Sequence, residues 1–415
     1  MNSDFLPHRG RVPNKNHQKI GWERPTHFRT PEQVAADEAA NMPVPTPPGG
    51  STGGGPMHHK RSLKEWLKHL STRQRVILIA TAVVVLGAMG FGAYYLWFRD
   101  APQPVKKAAV KKEAAKPPAA EPLTSALSGL PITDAAINDR PVTAVMIENS
   151  TDARPQAGLN DASVVFEAVA EGGITRFLTL WQDTAPEAIG PVRSVRPYYL
   201  QWLQGFDAAV AHVGGSGDAL RLIKEWGVKD LDQFHNTAPY WRVSNRYAPH
   251  NMFTSIPKLN ELEAQKGFGK PSYTGFARKK EAASATPNAR TIDFNISSPL
   301  YNSHYDYEAA TNSYLRSEGG KPHTDANSGA QISAKVVVGL VMSQGKNGLY
   351  TTYNTIGSGQ AYVFQDGIVT IGTWNKADNK SQFTFKDANG AEIKLNPGKT
   401  WLTVVGGTDR ISYKP

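Results

Sequence analysis

Seven charged or titratable residues occur within one short part of the sequence: Arg154, Glu167, Glu171, Arg176, Arg193, Arg196 and His212. Arginine suits anion binding because its planar guanidinium can donate two hydrogen bonds to a carboxylate or phosphate. If these side chains meet at one concave surface near His212, they form a binding site for an anionic ligand. The same residues could instead bridge one another and hold loops in place, and both interpretations fit the sequence.

Carboxylates in this region offer a second chemistry. A glycoside hydrolase needs two of them about 5–9.5 Å apart across a cleft. Glu148 and Glu167 would make such a pair if their strands are neighbours, and Glu171 is a further candidate general acid or base. Because no complete catalytic motif accompanies them, we favour binding over hydrolysis of a wall glycan.

The segment HVGGSGDAL, residues 212–220, resembles the strand-to-helix turns that hold nucleophiles or phosphates. A nucleophile elbow requires glycine where Asp218 stands, and the glycine spacing fits no phosphate-binding loop. Ser216 is therefore predicted to cap a helix. The histidines lack metal-binding spacing and the chain has no cysteine, so the sequence predicts no metal site, thiolate nucleophile or disulfide, and no cofactor.

Alternating and β-branched runs define the elements that must position these residues. Strands are predicted at 141–149, 162–170, 174–182 and 207–213, with a hairpin across Glu171-Gly172-Gly173. Helices are predicted at 195–206, 218–226 and 255–267, the last capped by Ser255. Glu167 is in phase with Val165 and Val169, on a face expected to be buried, so its carboxylate needs a cationic partner.

These elements predict an α+β protein with a mixed α/β part at 123–275 and a smaller antiparallel β domain at 290–415. The loop at 276–289 should separate them. The later part is rich in short strands, and Asp366-Gly367 and Asn389-Gly390 lie between alternating runs, as in β-hairpins.

The segment at 76–98 has 23 residues without a charge and is predicted to be a single transmembrane helix. Residues 1–75 form a basic tail that we expect to be disordered and cytoplasmic, and residues 99–122 form a Pro/Ala/Lys linker. The folded part is then expected outside the cell membrane.

The net charge of +10 comes entirely from this tail and linker, because residues 121–415 hold 28 basic and 28 acidic residues. A neutral folded part argues against nucleic acid as a partner. The distribution favours a membrane surface.

Several long motifs, among them RPVTAVMIENSTDARPQAGLNDASVVFEAVAEGGITRFLTL, IGPVRSVRPYYL and IGSGQAYVFQDGIVTIGTWNK, resemble the YerB-like lipoprotein family, a two-part domain of unknown function. The resemblance covers about residues 123–415 and implies a membrane-anchored, extracytoplasmic envelope protein. Peptidoglycan, another anionic envelope polymer or a lipid would be its expected partner. Lipid-anchored members use a cysteine, whereas this chain carries a hydrophobic helix instead.

Overall fold

The computed structural model describes residues 71–98 and 122–415, so most of the predicted tail and linker lies outside the described residues. Within residues 1–113, helix α1 spans Thr72–Phe98. Its segment Thr72–Leu96 is long and apolar enough to cross a membrane, and apolar side chains are exposed along it. The helix is therefore consistent with membrane anchoring.

The described residues 122–415 belong to a second compact unit. Its helices are α2 (Pro197–Gln204), α3 (Gly217–Trp226) and α4 (Ile256–Gln265). Its first strands are β1 (Thr143–Glu148), β2 (Val164–Glu171), β3 (Ile174–Trp181), β4 (Ala209–Ala211), β5 (Trp241–Arg242), β6 (Met252–Phe253), β7 (Thr291–Phe294), β8 (Ser303–Glu308), β9 (Ser313–Glu318) and β10 (Lys321–Pro322). The remaining strands are β11 (Ser333–Ala334), β12 (Val336–Val341), β13 (Gln344–Asn347), β14 (Tyr350–Tyr353), β15 (Gly357–Gln365), β16 (Ile368–Lys376), β17 (Thr384–Asp387), β18 (Thr400–Val405) and β19 (Ile411–Lys414).

A large mixed sheet organises this unit. Its strand order is β17-β16-β15-β12-β18-β2-β3-β1-β4, and the β13–β14 hairpin joins it at β2. A second sheet, in the order β10-β9-β8-β7-β19 with β11 beside β9, is antiparallel.

Both faces of the large sheet are buried, which explains the near-continuous apolar run of β1. Ala144 and Met146 pack on one side with residues of α2 and α3. Val145 and Ile147 pack on the other side with residues of α4 and of the second sheet. The described residues thus form a mixed fold in which the C-terminal region is mostly sheet.

Local predictions agree with the structure. β2 and β3 form the expected antiparallel hairpin, with Gly172 and Gly173 at positive φ in its turn. The Ser216 side chain accepts a hydrogen bond from the Ala219 backbone N–H at 3.3 Å, which confirms it as the N-cap of α3. Ser255 caps α4 in the same way, and β15 and β16 pair across Asp366-Gly367.

The expected self-contained antiparallel domain at 290–415 differs from the structure. β18 lies between β12 and β2 and runs parallel to both, so strands from before and after the 276–289 loop share one sheet. Hairpin turns mark antiparallel neighbours in a sequence, but parallel neighbours are joined by long-range packing that leaves no local signal. The predicted loop therefore separates two stretches of sequence whose strands are interleaved.

Candidate functional site

The ends of five strands meet at one edge of the large sheet. β4 is parallel to β1, and β12 and β18 are parallel to β2. β1 and β2 point the same way because both are antiparallel to β3. Ligands in open α/β sheets commonly bind outside the carboxyl ends of the strands. This carboxyl edge therefore holds the candidate residues that follow β1, β2 and β4.

At the end of β2, Glu171 binds two of the predicted arginines. Arg176 Nη2 lies 2.7 Å from its Oε1, and Arg196 Nη2 contacts its Oε2. Both guanidinium groups also donate to backbone carbonyls, of Ser194 and Val195. Burial alone would raise the pKa of Glu171, but the two arginines together lower it. These arginines are buried and form internal salt bridges, so they hold loops in place and do not present their charge to a ligand.

Glu167 does not join them, and the predicted convergence of Glu167 with the four arginines is wrong. Its Oε1 lies 2.9 Å from Arg316 Nη2 on β9, and both side chains are fully buried. Its Oε2 accepts from Trp401 Nε1 at 3.1 Å. Glu167 does need a cationic partner, as its strand face indicated, but the second sheet supplies it from 149 positions along the chain.

His212 is also enclosed instead of lining a cleft. Its Nε2 lies 2.9 Å from Asp230 Oδ1, and its Nδ1 lies 2.8 Å from the carbonyl oxygen of Gly214. Because both ring nitrogens are engaged and the side chain is fully buried, His212 fixes the turn that leads into α3.

The other predicted residues, Arg154 and Arg193, lie near Glu148, the last residue of β1. We define the Glu148 cluster as Glu148, Ser150, Arg193 and His250. One atom, Glu148 Oε1, lies 2.9 Å from Ser150 Oγ, 3.0 Å from His250 Nδ1 and 3.3 Å from Arg193 Nε. Glu148 Oε2 is buried and has no hydrogen-bond partner among the described residues.

Backbone contacts hold the Glu148 cluster in place. The N–H of Glu148 donates to Pro191 O at 2.9 Å, and the N–H of Arg193 donates to Met146 O at 2.8 Å. The segment that carries Arg193 is therefore fastened along the end of β1. Gln156 Nε2 donates to the Glu148 carbonyl at 3.0 Å and fixes the chain after the strand.

Arg154 lies on a neighbouring cavity of about 370 Å³, whose wall includes Glu318 and His323. Its guanidinium donates to Asn149 and to the carbonyl of Leu300, and it lies 3.3 Å from Glu318 Oε1. Burial raises the pKa of Glu318, an effect that Arg316 and Arg154 oppose. Burial, followed by Arg316, lowers the pKa of His323 well below its usual range, so this imidazole is neutral.

The cavity and the Glu148 cluster belong to one neighbourhood. Burial raises the pKa of Tyr301, and Arg154, whose guanidinium lies 5.3 Å from the ring centre, opposes this effect. Glu318, Asp152 and Glu148 each raise the pKa further. Three carboxylates therefore act on a single phenol.

Sequence reasoning missed Ser150, His250, Arg316 and Glu318 as members of these clusters. The His250 side chain binds Glu148, and the spacing of the histidines in the sequence does not indicate this contact. The position of Ser150 two residues after a strand end was the available signal for it. Arg316 carries no such signal. Among residues 71–98 and 122–415, no group of three acidic, histidine or cysteine side chains is arranged to hold a metal ion.

Comparison with known proteins places the chain in a family. Residues 127–269 match the N-terminal domain model of "Protein of unknown function (DUF3048)", and residues 292–402 match its C-terminal domain model. The chain belongs to this family, the YerB-like proteins that its motifs resemble.

One relative is the Bacillus subtilis (strain 168) protein described as "Putative lipoprotein YerB". It is 29% identical over 301 residues, which cover 70% of this chain and 88% of the relative. The crystal structure of YerB protein from Bacillus subtilis superimposes with a TM-score of 0.64 at 27% identity, covering 71% of this chain and all of that one. The likeness to a lipoprotein indicates an extracytoplasmic envelope protein.

Proposed function

We propose that this protein is held in the cell membrane by α1 as a single-pass anchor, with a cytoplasmic N-terminus, and that its folded part binds an anionic envelope component at the Glu148 cluster. The ligand class is an anionic wall polymer such as peptidoglycan, or an anionic lipid. The folded part has no net charge between residues 121 and 415, so attraction must come from local groups instead of a general basic surface.

The observation that supports this proposal most directly is the partial exposure and incomplete hydrogen bonding of the Arg193 side chain. Its side chain is 25% exposed, and its charged contact is to Glu148 through Nε. Within the described part of the chain, no hydrogen bond engages its two terminal nitrogens, in contrast to those of Arg154, Arg176 and Arg196. A guanidinium whose Nε side faces a carboxylate and whose outer edge is open can bind a carboxylate or phosphate of a ligand.

Glycan hydrolysis by paired carboxylates is less well supported. Glu167 is fully buried and bound to Arg316 and Trp401, so it has no access to a substrate or to water. Glu171 is bound by two arginines that lower its pKa, which is the opposite of what a general acid needs. Neither Glu167 nor Glu171 is therefore suited to act with Glu148 as the second carboxylate of a catalytic pair.

A matched pair of conservative variants tests the binding proposal. Arg193→Lys keeps the charge but removes the open guanidinium edge, and we expect loss of co-sedimentation of the full chain with wall fragments or anionic vesicles at unchanged melting temperature. Arg176→Lys removes the guanidinium that binds Glu171 and the Ser194 carbonyl. We expect lower thermal stability, with binding retained in the folded fraction. Retained binding by Arg193→Lys would refute the proposed site.

Topology has its own test. Protease added to intact cells should degrade the folded part and spare an epitope placed at the N-terminus. Protection of the folded part would contradict the proposed orientation.

A further inference from the structure

We propose that the Glu148 cluster also hydrolyses carboxylic esters, with His250 as the general base and Arg193 as the group that stabilises the oxyanion. This inference rests on the proposed binding site and adds a reaction to it. Its substrate class is an ester that neighbours an anionic group, as in an O-acylated anionic wall glycan or an anionic phospholipid.

The hydrogen-bond pattern sets the orientation of His250. Glu148 Oε1 lies 3.0 Å from the ring Nδ1, and Ser150 Oγ lies 2.9 Å from the same oxygen. The carboxylate is stabilised if both groups donate to it, which places the imidazole proton on Nδ1. In the neutral ring, Nε2 then has a free lone pair and can accept a proton.

The open side of the ring is where a substrate would enter. The His250 side chain is 23% exposed, and its Nε2 lies 3.9 Å from Oδ2 of Asp152, a residue that is largely exposed. That separation leaves Nε2 without a direct hydrogen bond to Asp152. A buried carboxylate bound to one imidazole nitrogen while the other faces solvent is the arrangement that orients a general base.

Arg193 supplies the second requirement of ester hydrolysis. Its Nε lies 3.3 Å from the same Glu148 oxygen that binds His250, so base and cation flank one atom. The open edge of its guanidinium can donate to the charge that develops on an ester carbonyl oxygen. Glu148 thereby acts as a positioning residue for both groups.

The reaction balances without a metal or a co-reactant. A water oxygen bonds to the ester carbonyl carbon while a water proton moves to His250 Nε2, and the carbonyl electron pair moves to the oxygen beside Arg193. The tetrahedral intermediate collapses by breaking the bond to the alcohol oxygen, which takes the proton back from Nε2. The products are a carboxylic acid, which ionises, and an alcohol.

Ser150 is not assigned as the nucleophile. Its hydroxyl is 2.9 Å from Glu148 Oε1, and its 3.2 Å contact with His250 is to Nδ1, the nitrogen that carries the proton in this arrangement. Water attack and serine attack differ in a measurable way, because the second leaves an acyl group on the protein.

The test uses the full chain in detergent micelles with two probes, O-acetylated wall-glycan fragments and anionic phosphatidylglycerol dissolved in the same micelles. We expect release of acetate from the first or of fatty acid from the second. His250→Gln should lower turnover by about 100-fold or more, the range of a lost general base. His304→Gln is the control, because this half-exposed imidazole is also paired with carboxylates, those of Asp293 and Asp306, but forms no pair with an arginine in the described part of the chain.

The possible results of this experiment support or overturn the esterase proposal as follows. A solvent deuterium isotope effect on wild-type turnover supports proton transfer to a base, and it does not depend on any variant folding. Equal turnover by His250→Gln, labelling of Ser150 by a fluorophosphonate, or no acid released from either probe would overturn the proposal. A wild-type chain that binds either probe without hydrolysing it would leave the binding proposal standing. A wild-type chain that neither binds nor hydrolyses the probes would refute the site itself.

Discussion

Replacement of Arg316 by methionine should be the most damaging single change in the folded unit. Methionine fills much of the same volume, so the effect comes mainly from the charge and hydrogen bonds removed. Glu167 Oε1 would lose its 2.9 Å contact with Arg316, and Tyr305 Oη its 2.9 Å contact. His323 Nδ1 would lose its 3.0 Å donor.

The loss of stability expected for Arg316→Met follows from these broken contacts. Breaking a fully buried ion pair by removing one partner costs about 3–5 kcal/mol, since the remaining charge is left uncompensated. We expect the upper part of that range for Arg316→Met, because Glu167 stays buried and Glu318 loses one of its two arginines. The double variant Glu167→Gln/Arg316→Met should be less destabilised than the sum of the single variants, because the two residues are in direct contact.

Urea unfolding of the full chain in micelles, followed by tryptophan fluorescence, measures these differences. Arg410→Met is the matched control, since Arg410 is exposed and paired with its neighbour Asp409 at 3.5 Å. It should change the free energy of unfolding by less than about 0.5 kcal/mol. A loss below about 1 kcal/mol for Arg316→Met, or strict additivity in the double variant, would refute the view that this pair is a closed buried unit.

Three further predictions follow from single features. Burial raises the pKa of Glu263 from 4.5 to about 7, so its contribution to stability is complete below pH 4.5 and lost as the pH rises through 7. Urea unfolding of Glu263→Gln should therefore show a gain over the parent chain that approaches about 3 kcal/mol above pH 7, and an equal difference at pH 5 and pH 8 would refute this. Ser216→Ala should cost about 1 kcal/mol through loss of the α3 cap, and no measurable loss would argue against the cap. Proteolysis within 276–289 should leave two fragments that co-elute from a sizing column, because β18 lies between β12 and β2; separate elution would contradict the shared sheet.

Local features of the fold were predictable because their signals are local. Paired glycines after Glu171 fixed the β2–β3 hairpin, and the helix caps at Ser216 and Ser255 came from residue type and position. The arrangement of the large sheet was not predictable in this way. β18 reaches its place beside β2 after more than two hundred residues of intervening chain, and neither strand carries a mark of the other.

In the candidate site, too, contacts with a local sequence signal were predictable and contacts between distant parts of the chain were not. Glu167 was correctly identified as a buried charge that needs a cation, but the sequence offered nearby arginines and the fold uses Arg316 from the second sheet. Glu148 was identified as a carboxylate on a predicted strand and Arg193 as one of four arginines in the same part of the sequence, and the two side chains do lie together. His250 joins them from about a hundred residues away, which no spacing rule could indicate.

The most direct test of the binding proposal is an NMR titration of the full chain in micelles, with ¹⁵N-labelled arginine side chains and wall fragments as the ligand. The Arg193 Nε–H resonance, identified by its absence in Arg193→Lys, should shift in proportion to occupancy. The resonances of Arg176 and Arg196 should stay in place, because those guanidinium groups are bound to Glu171. A titration that moves those two arginines and leaves Arg193 unchanged would contradict the proposal.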